Sequence, residues 1–286
     1  MILIADSGST KTDWCLMATD QPLRYFTTEG YNPYFVDADY ITTSVRNNLP
    51  ADIDLRQIDT VYFYGAGCQD DNPEIMLNLL RNVFPFAKNI HAEVDLLAAA
   101  RGLLGTQPGF AAILGTGTNT CLYNGTHITQ NIDSLGFLLG DEGSGAAIGK
   151  NVLSDFLRQK MPAAVLQTFV ATYGLSAGAV MHQVYSTPMP NRYCAGFAKF
   201  LTLPDMDTNY ANNIVRNAFE SFFQQLVTAY PQYTQYRFNC VGSVGFHFRE
   251  ILTAVAASFG MKTGRITCSL IEDLVQYHRT HELPVK

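Results

Sequence analysis

Two short stretches of this chain carry residue types that could handle a phosphate. In the first, the apolar run Ile2-Leu3-Ile4-Ala5 stops on Asp6, crosses Ser7-Gly8-Ser9-Thr10 and resumes as a strand at Trp14-Cys15-Leu16-Met17. A hairpin with that tip turns backbone N–H groups and hydroxyls toward one point, which makes a nest for an anion. A carboxylate beside such a nest repels the anion unless a divalent cation lies between them, so Asp6 points to metal-bound phosphate. Gly8, Ser9, Thr10, Lys11 and Thr12 are then the candidate phosphate contacts, although Lys11 also suits an exposed strand position. The same residues make an ordinary hairpin turn, and this stretch alone does not choose between the two.

A second copy of the pattern shifts the balance. Phe110-Ala111-Ala112-Ile113-Leu114 runs into Gly115-Thr116-Gly117-Thr118-Asn119, and a strand with Cys121-Leu122 follows. Superposing the turns sets Ser7-Gly8-Ser9 on Thr116-Gly117-Thr118 and Asp6 on Gly115, so only the first copy keeps an acid. Two such hairpins indicate a duplicated architecture. Facing each other across a cleft, they would clamp one polyphosphate. A third turn, Gly242-Ser243-Val244-Gly245, follows the buried run Phe238–Val241, and its glycine would let backbone approach a flat ligand.

The elements that would position these turns can be read from periodicity. Leu23–Thr28 reads as a strand and is followed by the loop Gly30-Tyr31-Asn32-Pro33. Ile41, Val45 and Leu49 recur at helical spacing, Val61–Tyr64 is a strand ending in Gly65-Ala66-Gly67, and Ile75–Phe84 is helical. Asn89–Val94 is a strand, Asp95 stands at the junction, and Leu96–Arg101 begins a helix that Asp95 is suited to cap. Gly105-Thr106-Gln107-Pro108-Gly109 is the best boundary, dividing the chain into domains 1–106 and 107–286. Downstream, Gly140-Asp141-Glu142-Gly143-Ser144-Gly145 opens a small-residue helix. The stripe from Ile214 to Val227 is core, and the rest is mostly helical, a helical insertion in the second domain.

Composition narrows the function classes. The 286 residues suffice for two domains with full cores. A formal net charge of −6 with no Lys/Arg cluster argues against a nucleic-acid surface. Six scattered cysteines without a C-x-x-C pair read as buried free thiols in a reducing compartment. No run approaches membrane-spanning length and the N-terminus lacks a basic region followed by an apolar core, so the expectation is a soluble cytoplasmic protein without membrane partners. No G-x-x-x-x-G-K-[ST] occurs, which excludes P-loop chemistry.

The segments Asp6–Thr12, Leu114–Asn119, Gly140–Gly145 and Val241–Val244, in that order, resemble the N-acetylglucosamine kinase branch of the actin/hexokinase/Hsp70-like phosphotransferases, grouped with the BadF/BadG/BcrA/BcrD ATPases. The resemblance runs from residue 2 to about 275. It implies an α/β fold of duplicated ribonuclease H-like (actin-like ATPase) domains with an interdomain nucleotide cleft. It implies ATP and Mg²⁺ as cofactors, with Asp6 directed at the metal and Gly8–Thr12, Thr116, Ala195, Gly242 and Ser243 at the nucleotide. Asp95 becomes the catalytic base toward the 6-hydroxyl of an amino sugar such as N-acetylglucosamine. Asn32, Gly117, Thr118, Asn119, Ser134, Leu135, Gly136 and Asp141 become its other contacts. The animal kinases carry Gly-Gly-Trp-Gly where this chain has Asp133-Ser134-Leu135-Gly136, which alters one wall of that pocket. A homodimer is compatible with the resemblance. An ATPase that drives a partner protein is the alternative within the group, and it would need a partner surface or cluster cysteines.

Overall fold

The computed structural model describes residues 1–18, 21–31, 36–66, 68 and 73–282. They form two units. One comprises Met1–Pro108, Tyr123–Thr129 and the segment from Ser269 onward; the other comprises Gly109–Leu122 and Gln130–Cys268.

The first unit contains β1 (Ile2–Ser7), β2 (Lys11–Met17), β3 (Arg24–Glu29), α1 (Ala38–Asn48), β4 (Thr60–Gly65), α2 (Pro73–Val83), β5 (Asn89–Val94) and α3 (Asp95–Leu104). Its sheet has the order β3-β2-β1-β4-β5. The first three strands pair antiparallel, whereas β4 and β5 join in parallel after helical crossovers. Leu3, Ala5, Val61 and Phe63 point to one face and bury against Ile41 and Val45 of α1 and Met76 and Leu80 of α2. Trp14, fully buried there, stacks on Phe26 (5.6 Å between centroids) and donates from Nε1 to Thr28 Oγ1 (2.9 Å).

The second unit is built from β6 (Gly109–Leu114), β7 (Thr118–Tyr123) and β8 (Ile128–Asn131), then α4 (Gly136–Leu139), α5 (Gly145–Leu157), α6 (Ala163–Tyr173), α7 (Ala177–Ser186), α8 (Pro190–Gly196) and α9 (Thr208–Gln225). It closes with β9 (Arg237–Val241), α10 (Ser243–His247), α11 (Arg249–Ser258) and β10 (Lys262–Thr267). Taken from β8, its sheet runs β8-β7-β6-β9-β10, the same order as the first sheet taken from β3. Both units therefore have the topology of a ribonuclease H-like α/β fold, and the chain is a duplication of it. The core gathers around Phe219, Phe222 and Phe223 of α9, with Phe223 and Phe238 at 5.1 Å.

The sequence division assigned everything after residue 106 to the second half. The last helix, α12 (Ile271–Glu282), instead packs on α3, β1 and β2 of the first unit. Leu274, Val275 and His278 are buried there, and Tyr64 Oη lies 3.0 Å from His278 Nε2, so α12 covers the sheet face opposite α1 and α2. All six cysteines are free; five are buried and Cys268 is exposed. Among the described residues no single helix is long and apolar enough to cross a membrane.

Phe222 also supports the Gly140–Gly145 turn: a Cβ on Gly143, whose φ is +76°, would lie 2.8 Å from Phe222 Cβ. Phe222→Ala opens a cavity under that turn, and its expected cost is about 3–5 kcal/mol. Urea unfolding at a fixed probe wavelength measures it.

Candidate active site

In the first unit the loop between β1 and β2 is closed by the Gly8 N–H donating to Lys11 O (3.0 Å). The outermost residue is Thr10, with Gly8 and Ser9 half-buried beside it. Behind the tip, Ser7 and Thr12 face each other across the strand pair, both fully buried. Thr12 Oγ1 donates to Glu29 O (2.8 Å) and therefore receives the proton of Ser7 Oγ (2.8 Å), which in turn accepts from the Tyr31 N–H (3.3 Å). Thr12 was expected to touch phosphate; its hydroxyl is spent on this circuit, because antiparallel register turns it inward. Lys11 is exposed and pairs with Asp13 (Nζ to Oδ1, 2.8 Å), so the bland alternative for Lys11 describes its position. Asn32 lies outside the described residues.

Asp6, at the end of the strand leading into this turn, interacts with two other carboxylates, Asp95 and Asp13. Asp6 and Asp13 are direct cross-strand partners and so share a face. Asp95 is the first residue of α3; the cap position is Val94, and no side chain caps the helix. The N-cap role expected of Asp95 is thus not the one it fills. Burial pushes Asp6 up to about 7, with the charges of Asp95 and then Asp13 adding to the effect and Lys11 opposing it. Burial also raises Asp95, to about 6, against backbone N–H groups at the start of α3 that stabilise its charge. Asp13 went unnoticed in the sequence, although its register opposite Asp6 follows from the hairpin. Ser269 Oγ reaches its other oxygen at 3.4 Å.

This donor set fits a divalent cation that keeps most of its shell as water and phosphate. Crowded carboxylates with one opposing lysine leave negative charge to be neutralised, and among the described residues no cluster of three or more ligating side chains makes a protein-only cage.

In the second unit the corresponding turn, also three residues between strands, is closed by the Gly115 N–H donating to Gly117 O (3.0 Å). Gly115 O and Thr116 O accept from the Gly145 and Ala146 N–H groups (2.8 and 3.1 Å), which fixes the turn to the start of α5, where Ser144 is the cap. Asp141, buried and at φ +58°, accepts the Thr118 N–H on Oδ1 (3.0 Å), and its carboxylate lies against Gly117 so closely that a Cβ there would be 3.1 Å away. Burial raises its proton affinity, and the Thr118 N–H partly offsets this. A Cβ on Gly145 would come within 3.4 Å of Gly115 O, Val244 and Ala195, and one on Gly242 (φ +125°) within 2.4 Å of Leu114 O. Thr116, Gly117, Asp141, Ala195 and Gly242 are therefore gathered at one end of this unit, and the exposed Ser243 opens α10 beside them.

Other expected contacts are placed differently. The Thr118 hydroxyl donates to Glu142 O (2.8 Å) and is buried, so it holds the turn together. Asn119 Oδ1 accepts from the Thr120 N–H and Asn131 Nδ2 (both 2.9 Å), which leaves its amide nitrogen to offer a ligand. Ser134 uses its carbonyl to receive the Asp141 N–H (2.9 Å). Leu135 (φ +57°) and Gly136 (φ +66°) bend the chain into α4, whose Leu138 is 85% exposed while Phe137 is held by Lys150, Nζ to carbonyl 2.7 Å.

No family model matches this chain, and no curated protein matches it. Solved structures do. A candidate N-acetylglucosamine kinase from Porphyromonas gingivalis is 39% identical over 99% of this chain and 100% of its own, with a TM-score of 0.89. A candidate N-acetylglucosamine kinase from Chromobacterium violaceum (19% identity, 96% and 98% coverage, TM-score 0.74) shares the fold. So does a ROK family glucokinase from Streptomyces griseus solved with glucose and AMPPNP (12%, 93% of each chain, 0.55). With its doubled sheet topology, its two Gly/hydroxyl turns and this degree of identity, the chain belongs to the N-acetylglucosamine kinase-like family of the actin/hexokinase/Hsp70-like superfamily.

Proposed function

We propose that the protein transfers the γ-phosphoryl group of ATP to the 6-hydroxyl of an amino sugar such as N-acetylglucosamine. The observation that carries this reading is Asp95: a half-buried carboxylate with raised proton affinity, at the head of a helix, electrostatically coupled to Asp6 beside the Gly8–Thr10 turn. The name of the Porphyromonas gingivalis relative supports the acceptor class, and the nucleotide analogue in the Streptomyces griseus enzyme supports the donor.

Phosphoryl transfer demands positioning and charge neutralisation more than covalent chemistry. The Gly8–Thr10 backbone receives phosphate oxygens. Thr116, Ala195, Gly242 and Ser243 are the second unit's nucleotide-facing residues, and Gly117 stays with the acceptor contacts. Asp6 is the residue to hold Mg²⁺, which when bound neutralises phosphate charge. Asp141 and the Asn119 amide nitrogen bind acceptor hydroxyls, with Ser134, Leu135 and Gly136 as their border. Asp95 orients the attacking hydroxyl and takes its proton. A carboxylate at about 6 is mostly ionised at neutral pH yet a stronger base than an ordinary aspartate.

Coupled ADP release across a panel of amino sugars tests the reading. Stimulation by one N-acylated sugar is expected; ATP hydrolysis indifferent to every sugar would favour the partner-driven ATPase. Asp95→Asn should lower kcat by about 10²–10⁴-fold while nucleotide affinity stays near wild type. The same variant has a second signature. A carboxylate whose folded value is raised from 3.8 to about 6 binds its proton more tightly when folded, so its ionisation removes stability as pH climbs through that window. Asp95→Asn should therefore melt above wild type at pH 8, and the gap should close below pH ~4, as scanning calorimetry would show.

A further inference from the structure

Gly30, directly after β3, sits against the Gly8–Thr10 turn. A Cβ on it would stand 2.2 Å from Gly8 O, 2.7 Å from the Ser9 carbonyl carbon and 2.8 Å from the Thr10 nitrogen. These are backbone atoms, which cannot swing aside as a side chain would. Gly30 is not among the residues with positive φ, so space, rather than backbone freedom, demands glycine there. Its N–H donates to Thr10 O (3.0 Å). On either side of it the segment is bolted to the same hairpin: Glu29 O accepts from Thr12 Oγ1 (2.8 Å), and the Tyr31 N–H donates to Ser7 Oγ (3.3 Å). The Ser7–Thr12 bond (2.8 Å) closes the circuit inside the protein.

We propose that Gly30 is a positioning residue for the nucleotide: its bare Cα is the surface that presses the Gly8–Thr10 turn into phosphate-accepting shape, and the Ser7–Thr12 hydroxyl pair locks it there. The inference rests on the reading of that turn as a nucleotide site. A methyl on Gly30 displaces the turn without touching the acceptor residues of the second unit, so nucleotide affinity should fall while acceptor affinity holds. Uniform destabilisation would not produce that split.

The test is calorimetric titration of full-length protein with AMPPNP and, separately, with the sugar that the panel identifies, alongside melting temperatures. Gly30→Ala should weaken AMPPNP about tenfold or more, with Gly30→Val worse, and leave sugar affinity within about twofold. Thr12→Val, which breaks the lock without intruding, should reproduce the selective loss in milder form, and Thr12→Ser should restore it. If Gly30→Ala does not fold, the Thr12 pair decides the matter. Nucleotide and sugar affinities that fall together, or AMPPNP binding equal to wild type, would overturn the role of Gly30. Absence of AMPPNP binding by wild type would overturn the nucleotide reading and the inference with it.

Discussion

Like charge held close together is the constraint on which the first unit's site depends. Asp6 and Asp13 share a face because a tight hairpin makes them cross-strand neighbours, and Asp95 is placed near Asp6 by the parallel strands that bring α3 back to the same sheet end. Left to themselves, three carboxylates in a half-buried setting would separate or take up protons. The framework prevents separation, with Trp14 and the Leu3, Ala5 and Phe63 core on one face and α12 on the other. What remains is raised proton affinity at Asp6 and Asp95, with unneutralised negative charge beside a turn of backbone donors. In the proposed reaction, a metal-bound phosphate and the proton of the attacking hydroxyl are the species that would relieve it.

Duplication supplied the scaffold twice, and the copies have been put to different uses. Both sheets have the same strand order and both carry a glycine turn after the first strand. Only the first turn is preceded by an acid. In the second, Gly117 lets Asp141 reach the turn from α5's approach, so the carboxylate comes from a distant loop instead of the strand itself. Contacts too close for a Cβ recur at Gly30 and Gly242, because backbone must lie on backbone where the turns are pinned.

Much of this was legible in the sequence because it is local. The apolar runs that stop on Asp6 and Leu114 mark strands by length and composition, and the small-residue helix after Asp95 marks α3. Partnerships formed across long stretches were not legible. Gly30 is constrained by a turn more than twenty residues earlier, and no composition rule reveals that a neighbour's carbonyl will occupy the place of a Cβ. Thr12 was read as a phosphate contact because hydroxyl residues in a glycine turn invite that reading, and Thr118 as an acceptor contact because the resemblance implied it; register buries both and spends their protons on Glu29 O and Glu142 O. The docking of α12 on the first unit is equally hidden, since an amphipathic helix at the chain's end gives no address. Leu135 takes a left-handed conformation that its side chain disfavours, so a local reading does not foresee the bend into α4.

The most direct measurement is a crystal structure with an ATP analogue and the acceptor sugar bound together. The account predicts the acceptor's primary hydroxyl within about 3 Å of Asp95, with the terminal phosphate on the Gly8–Thr10 backbone. A terminal phosphate lodged away from that turn, or an acceptor hydroxyl directed elsewhere than Asp95, would contradict it.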